Sequence, residues 1–266
     1  MLAFITSLRH PKTAKSWSHN LKLLERTLRS VCAQSDQNFR VLVVCNEKPD
    51  LCFDHPNIGF LPVDLPPPVD SFDQLIRNAD AIRNDRGRKY LAGLYHFREA
   101  NPSHVMFFDA DDCISNRLVE TVLAGPPNTS WYVGDGYLYS EGSSLIYRID
   151  SVFNQTCGTC HIFSYRIFDL PEDRTTISDE WIRQTLGSHI NVKAFLQEKN
   201  VTLQKIPYRG AVYIINTGEN QWGLGGYLDF FRGSRLPSLV RLGLALPGFR
   251  LLTSAVRKEF SLYPIQ

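Results

Sequence analysis

The 266-residue chain carries 29 basic and 27 acidic side chains, a net charge of +2, and 43% hydrophobic residues. That length suits one large domain, or one domain with an appendage, around a sizeable core. The near balance of charge excludes a nucleic-acid binder that relies on a global basic field, so no nucleic-acid partner is expected.

The opening MLAFITSLRH lacks the charged start, longer apolar run and small-residue cleavage site of a signal peptide. No stretch approaches the roughly 20 apolar residues of a spanning helix. A cytoplasmic protein is expected, with peripheral contact to the inner face of a membrane left open. The six cysteines (Cys32, Cys45, Cys52, Cys113, Cys157 and Cys160) then read as reduced thiols. Cys157-Gly-Thr-Cys160 has the spacing of a redox or zinc half-site, but no second pair accompanies it, and a packed loop is expected.

In chain order, residues 3–6 form a short apolar run, predicted as a first buried strand. Residues 18–34 are predicted as a helix capped by Ser18, with Leu21, Leu24, Leu28 and Val31 on one face. Arg40-Val-Leu-Val-Val-Cys45 is a β-branched run of the kind found in strands covered on both sides. Residues 58–63 are a third candidate strand, and Pro66-Pro67-Pro68 marks a loop.

A second helix is predicted over about residues 85–100, with Leu91, Leu94, Tyr95 and Arg98 in register. His104-Val-Met-Phe-Phe-Asp109 is another buried strand, running straight into Ala110-Asp111-Asp112. Ser115, aided by Asp112, is expected to cap a helix over residues 116–124 that Gly125 and two prolines end. Strands alternating with helices imply a layered α/β domain with a mixed, mainly parallel sheet.

Residues 131–133 and 145–149 follow as strands, with mixed pairing. A helix over about residues 189–199 should end at Asn200, which tolerates a left-handed cap. Residues 201–206 and 211–215 are further strands. Residues 1–225 are taken as the main domain and 226–266 as a helical, basic and apolar extension. Within that extension, Arg232, Arg235, Arg241, Arg250, Arg257 and Lys258 face a single acid, Asp229. It would pack on the main domain, on a second subunit in a homodimer, or on anionic lipid.

The chemistry concentrates in Asp109-Ala-Asp111-Asp112. Carboxylates placed together beyond a strand's carboxyl end repel one another and raise each other's pKa unless a cation offsets them. A hard divalent ion does so and can bridge a diphosphate at the same time. Alternate residues of an extended stretch point the same way, so Asp109 and Asp111 can share one ion. A calcium loop does not fit, because Ile114 occupies the position that needs glycine.

These residues carry a resemblance to the GT-A glycosyltransferases, specifically the family 2-like group. Residues 27–44 resemble that group's second segment, a helix ending in Ser-Val-x-x-Gln before an apolar strand. Met106-Phe-Phe-Asp-Ala-Asp-Asp112 resembles its metal-binding DxD signature, and Asp85-Arg-Gly-Arg-Lys89 the segment approaching the nucleotide. Where that group has acids after the second strand, this chain has Cys45-Asn46-Glu47, either of whose polar residues is a candidate nucleoside contact.

The resemblance implies the GT-A layered fold, with Mn²⁺ or Mg²⁺ at Asp109 and Asp111. His189 is a candidate third ligand. It further implies a nucleotide-sugar donor, a UDP-sugar first, met by Thr6, Asp85, Arg86, Lys89, Asp109 and Ala110. The sugar would pass to a glycan, lipid-linked or small-molecule hydroxyl. An inverting reaction needs a base, for which Asp179 is the first candidate and Glu180 the second. Both are also ordinary helix-start acids, and Asp85 an ordinary cap.

The Cys157–Cys160 loop resembles an acceptor-side loop, and Gly218-Glu219-Asn220 with Trp222 has the makeup of a lid. A sugar-nucleotide nucleotidyltransferase stays as an alternative, weakened by the absence of glycine in Thr6-Ser-Leu-Arg-His10. A non-catalytic binding protein of the same fold is the third reading.

Overall fold

Strands β1 (Leu2–Ser7) and β2 (Phe39–Cys45) are apolar at successive positions because both their faces are covered. Val41, Val43 and Cys45 enter one core, while Leu42 and Val44 enter another. In the computed structural model, residues 1–126, 128–219, 225–231 and 246–265 are described.

Helix α1 (Trp17–Cys32) brings Leu24, Leu28 and Val31 to the first core. Its cap is Ser16, whose hydroxyl accepts the His19 N–H, and not Ser18, which lies inside the first turn. Strand β3 (Ile58–Pro62) extends the sheet beside β2. Helix α2 (Phe72–Arg77), at 6 residues, is too short to show a helical period in the sequence. Helix α3 (Ala79–His96) starts six residues before the expected position, capped by the Asn78 side chain. It lays Tyr90, Leu91 and Leu94 on the second core, so Asp85, Arg86 and Lys89 sit in a helix interior and not at its start.

Strand β4 (His104–Phe108) runs parallel to β1. A tight turn leads to β5 (Cys113–Ile114) and helix α4 (Leu118–Ala124). The first turn of α4 is capped from a distance by Gln34, whose Oε1 accepts the Val119 N–H at 3.0 Å, while Ser115 Oγ donates to Glu259 and Asp112 is drawn inward and away from the helix. Strands β6 (Ser130–Tyr132), β7 (Asp135–Ser140) and β8 (Leu145–Ile149), helix α5 (Phe153–Thr156) and strand β9 (His161–Ser164) follow. Helix α6 (Asp179–Trp181) passes into a π-helical turn, Ile182–Leu186. Helix α7 (Val192–Glu198) ends before Asn200, whose φ of 51° confirms the left-handed stop. Strands β10 (Leu203–Lys205) and β11 (Arg209–Ile215) come next. In the C-terminal section the described residues form helices Tyr227–Phe230 and Ser254–Phe260 and strand β12 (Phe249–Leu251).

The main sheet has the order β10-β6-β9-β4-β1-β2-β3 and is parallel except at β9, which runs antiparallel to both its neighbours. A second sheet, β12-β8-β7-β11-β5, is mostly antiparallel, with β11 parallel to β7. This is the layered, mixed α/β architecture with a mainly parallel central sheet. All six cysteines are free thiols, and only Cys52 is exposed. Among the described residues no helix is long and apolar enough to cross a membrane.

The C-terminal residues are tied to α1 by a buried charge. Arg26, with no exposed side-chain surface, donates to Glu141 Oε2 at 2.5 Å and to the Tyr263 carbonyl at 3.2 Å. Glu141 Oε1 accepts the Ile265 N–H at 3.1 Å. Removing the carboxylate would strand a desolvated guanidinium. Glu141→Ala is therefore expected to cost about 3 kcal/mol in urea denaturation, the usual scale for breaking a buried pair from one side.

Candidate active site

The site begins where β4 ends. Alternation along the strand sends Met106 and Phe108 into the α1 core and Val105 and Phe107 into the α3 core. Asp109 comes next and is met from α3 by Arg86, whose Nη1 donates to Asp109 Oδ1 at 3.1 Å. The chain then turns, leaving Asp109, Ala110 and Asp111 on the wall of a cleft of about 200 Å³. Ala110 is held there by Thr27 Oγ1, which donates to its carbonyl at 3.1 Å.

The same cleft receives Ser7 and Arg9 from the exit of β1, Arg83 and Arg86 from α3, Gly158 from the loop before β9, and His189. The π turn makes the last of these possible. Gly187 N–H donates to Ile182 O at 3.0 Å, and the turn packs against α3 so closely that a Cβ on Gly187 would lie 2.4 Å from the Arg83 carbonyl. Ser188 and His189 are thereby delivered beside Asp109. His189 Nε2 is buried and has no hydrogen-bond partner.

Arg9 was not foreseen, although a cation two residues past a strand that ends at a ligand crevice is a readable signal. Its Nη1 donates to Glu219 Oε2 at 2.6 Å and its Nη2 to the Glu219 carbonyl at 2.8 Å. Glu219 Oε1 in turn accepts the Ser16 N–H at 2.6 Å. Glu219 is thus a buried clamp on the start of α1. Asn220 and Trp222, the other named parts of the expected lid, lie outside the described residues.

Several expected site residues are placed elsewhere. Thr6 is buried within β1, with its hydroxyl unpartnered, and does not line the cleft. Lys89 is fully buried: Nζ donates to the Leu8 carbonyl at 2.8 Å and to Asp85 Oδ2 at 2.9 Å. It fastens α3 to the β1 exit, and it occupies the carboxylate of Asp85, itself a cleft residue. Asp179 and Glu180 lie outside the cleft, their side chains 68% and 58% exposed. Asp179 accepts from Arg88 at 2.9 Å, and Glu180 pairs with Arg183 and Gln184, as residues at an ordinary capped helix start do. Asn46 donates to the Leu65 carbonyl at 2.7 Å, and neither it nor Glu47 lines the cleft.

The electrostatics divide the three neighbouring acids. Burial, then the charge of Asp109, push Asp111 up to about 6, against the pull of Arg9 and Arg26. Asp112 is raised well above the carboxylate range by burial and by Asp111 and Asp109. His189 is lowered by burial, with Asp109 opposing. Among the described residues no three His, Cys, Asp or Glu side chains already stand together in a metal-binding group. Asp109 and Asp111 nonetheless supply hard oxygen donors on one wall of the cleft. A divalent cation fits that donor set, and His189 is not needed to complete it.

No family model matches the chain, and no curated protein matches it. Solved structures that align with it include TarS from S. aureus, at 12% identity and a TM-score of 0.44. That alignment covers 90% of this chain, which spans 41% of TarS. A second is the Francisella tularensis 2-C-methyl-D-erythritol 4-phosphate cytidylyltransferase, at 11% identity and a TM-score of 0.37, covering 77% of this chain and 89% of that one. A third, from Desulfovibrio desulfuricans and described as a nucleotide-diphospho-sugar transferase, aligns at 9% identity and a TM-score of 0.35 over 91% and 94% of the two chains.

Were Asp111 to hold a cation, its raised pKa would make the binding depend on pH. Below about 6 a proton competes for the carboxylate, so affinity for Mn²⁺ is expected to be level above pH 7 and to fall as pH drops through 6. Titration followed by electron paramagnetic resonance would read this, and an unchanged affinity down to pH 5 would remove Asp111 from the ligand set.

Proposed function

We propose that the chain is a divalent-cation-dependent glycosyltransferase that takes a sugar from a nucleotide-sugar donor and passes it to an acceptor hydroxyl, in glycan or polysaccharide synthesis. The observation that carries this reading is the pair of carboxylates, Asp109 and Asp111, at a strand exit on the wall of a cleft that also holds Arg9 and Arg86. Anionic and cationic groups interleaved in this way suit a diphosphate with its counter-ion better than either alone.

Asp109 and Asp111 would hold Mn²⁺ or Mg²⁺, which when bound offsets the charge that develops on the leaving diphosphate. Arg86, already beside Asp109, and Arg9, fixed by Glu219, would donate to the phosphate oxygens. Both are oriented before any ligand arrives, so little reorganisation is needed as charge develops.

For an inverting reaction the proton acceptor has to stand in the cleft, which Asp179 and Glu180 do not. His189 meets that condition. It lines the cleft, burial keeps its imidazole neutral, and its Nε2 is not committed to another group. Once the ring turns its buried Nε2 into the cleft, this imidazole can take the acceptor's proton as the new glycosidic bond forms.

Three experiments test the reading. Incubation with a panel of nucleotide sugars and Mn²⁺, UDP-sugars first, is expected to release nucleoside diphosphate. Pyrophosphate exchange would instead indicate a nucleotidyltransferase, and no release a binding protein. Asp111→Asn is expected to abolish that release with the circular dichroism spectrum unchanged; retained turnover would refute the cation site. His189→Gln is expected to lower kcat by about 10²–10⁴-fold with little change in donor KM, the scale of a lost general base. A KM effect alone would assign His189 to binding.

A further inference from the structure

Asp112 belongs to the same acidic run as Asp109 and Asp111 but faces away from the cleft. It is 1% exposed, and both its carboxylate oxygens are engaged. Oδ2 accepts the Thr159 hydroxyl at 2.6 Å and the Cys157 thiol at 3.0 Å, and Oδ1 accepts the Ile214 N–H from β11 at 3.2 Å. Three separate parts of the chain meet at this one side chain: the β4 exit, the loop before β9, and β11.

Thr159 makes the contact a relay. Its hydroxyl gives its only proton to Asp112 and accepts the Asp109 N–H at 3.0 Å. The residue that anchors the loop therefore also fixes the backbone of the cleft-facing acid. Between the two anchored residues, Cys157 and Thr159, stands Gly158, held so close that a Cβ there would lie 2.5 Å from Asp109 Oδ2. The loop wall and the Asp109 carboxylate are thus set against each other with no room for a methyl group.

We propose that Asp112, acting through Thr159, is a positioning residue that sets the gap between the Asp109 carboxylate and the 157–160 loop, and so the geometry in which Asp109 meets the donor's cation and diphosphate. The proposal rests on the cation-dependent transferase reading. It explains a third carboxylate in the run that the donor does not need. It also gives the Cys157-Gly-Thr-Cys160 segment a role without metal or disulfide chemistry: the thiol is a hydrogen-bond donor and the glycine a spacer.

The test uses the 266-residue chain, with a UDP-sugar and Mn²⁺ for turnover and UDP with Mn²⁺ for binding. Thr159→Val removes the relay while keeping size and branching, and is expected to lower kcat by about 10–100-fold, the scale for residues that orient a ligand-bearing group. Thr159→Ser restores the hydroxyl and is expected to return kcat to within about threefold of the starting protein on the same reasoning. A purely structural threonine would shift the unfolding midpoint and leave kcat per folded molecule alone, and that result would overturn the proposal.

Gly158→Ala provides a measurement that does not depend on turnover. The added methyl has to displace Asp109 Oδ2, so calorimetric affinity for Mn²⁺ with UDP is expected to fall at least about tenfold. Unchanged affinity in folded Gly158→Ala protein would overturn the proposal even if Thr159→Val failed to fold. The two readings fail separately. If Asp111→Asn retains turnover, the cation site on which the positioning role rests is lost. If Asp111→Asn is inactive while Thr159→Val and Gly158→Ala behave as the unaltered protein, only the positioning role is lost.

Discussion

Three carboxylates within four residues, at the end of a strand buried on both faces, are an electrostatic liability that the surrounding structure has to resolve. Burial first, and then the neighbouring carboxylate charge, raises the pKa of Asp111 and Asp112. The fold treats each acid differently. Asp109 is met by Arg86, Asp112 is turned inward onto three hydrogen-bond donors, and Asp111 stands on the cleft wall, where Arg9 and Arg26 act against its burial and the charge of Asp109.

Much of the rest can be understood as support for that arrangement. Lys89 and Asp85 form a buried pair that ties α3 to the β1 exit and so fixes the helix that presents Arg86. The π turn, with Gly187 pressed on the Arg83 carbonyl, brings His189 to the same place. Single-turn π segments often occur where a helix has to deliver side chains off its regular spacing. Glu219 holds Arg9 and the start of α1 together, so the cationic and anionic sides of the cleft are both braced from behind.

The functional residues that sequence reasoning misplaced share a physical cause. Lys89 and Arg86 both have the charge to meet a phosphate, but they lie three positions apart on a helix that begins at Ala79, and only tertiary packing decides which reaches the cleft. Asp179 and Glu180 have the composition of a catalytic acidic pair and equally that of a helix start. Their own segment cannot say whether that start faces a cleft or water. Thr6 was read at a strand end, but the strand runs one residue further, and alternation turns its hydroxyl into the core. Asp112 resembles a cap in the sequence because Ser115 follows it; its partners, Thr159, Cys157 and Ile214, are 45 to 102 residues away.

The sequence by itself determined the strands covered on both faces, the amphipathic face of α1, the stop at Asn200 and the position of Asp109 and Asp111 at a strand exit. Each of these follows from local periodicity, from backbone preference or from the order of residues along one strand. Only the tertiary structure decided that Arg9, Arg86 and His189 join those acids, that Lys89 and Asp112 are withdrawn from them, and that Asp179 and Glu180 stand apart. Those outcomes depend on how α3, the π turn and the loop before β9 pack against β4, which means on distances between segments that no local pattern encodes.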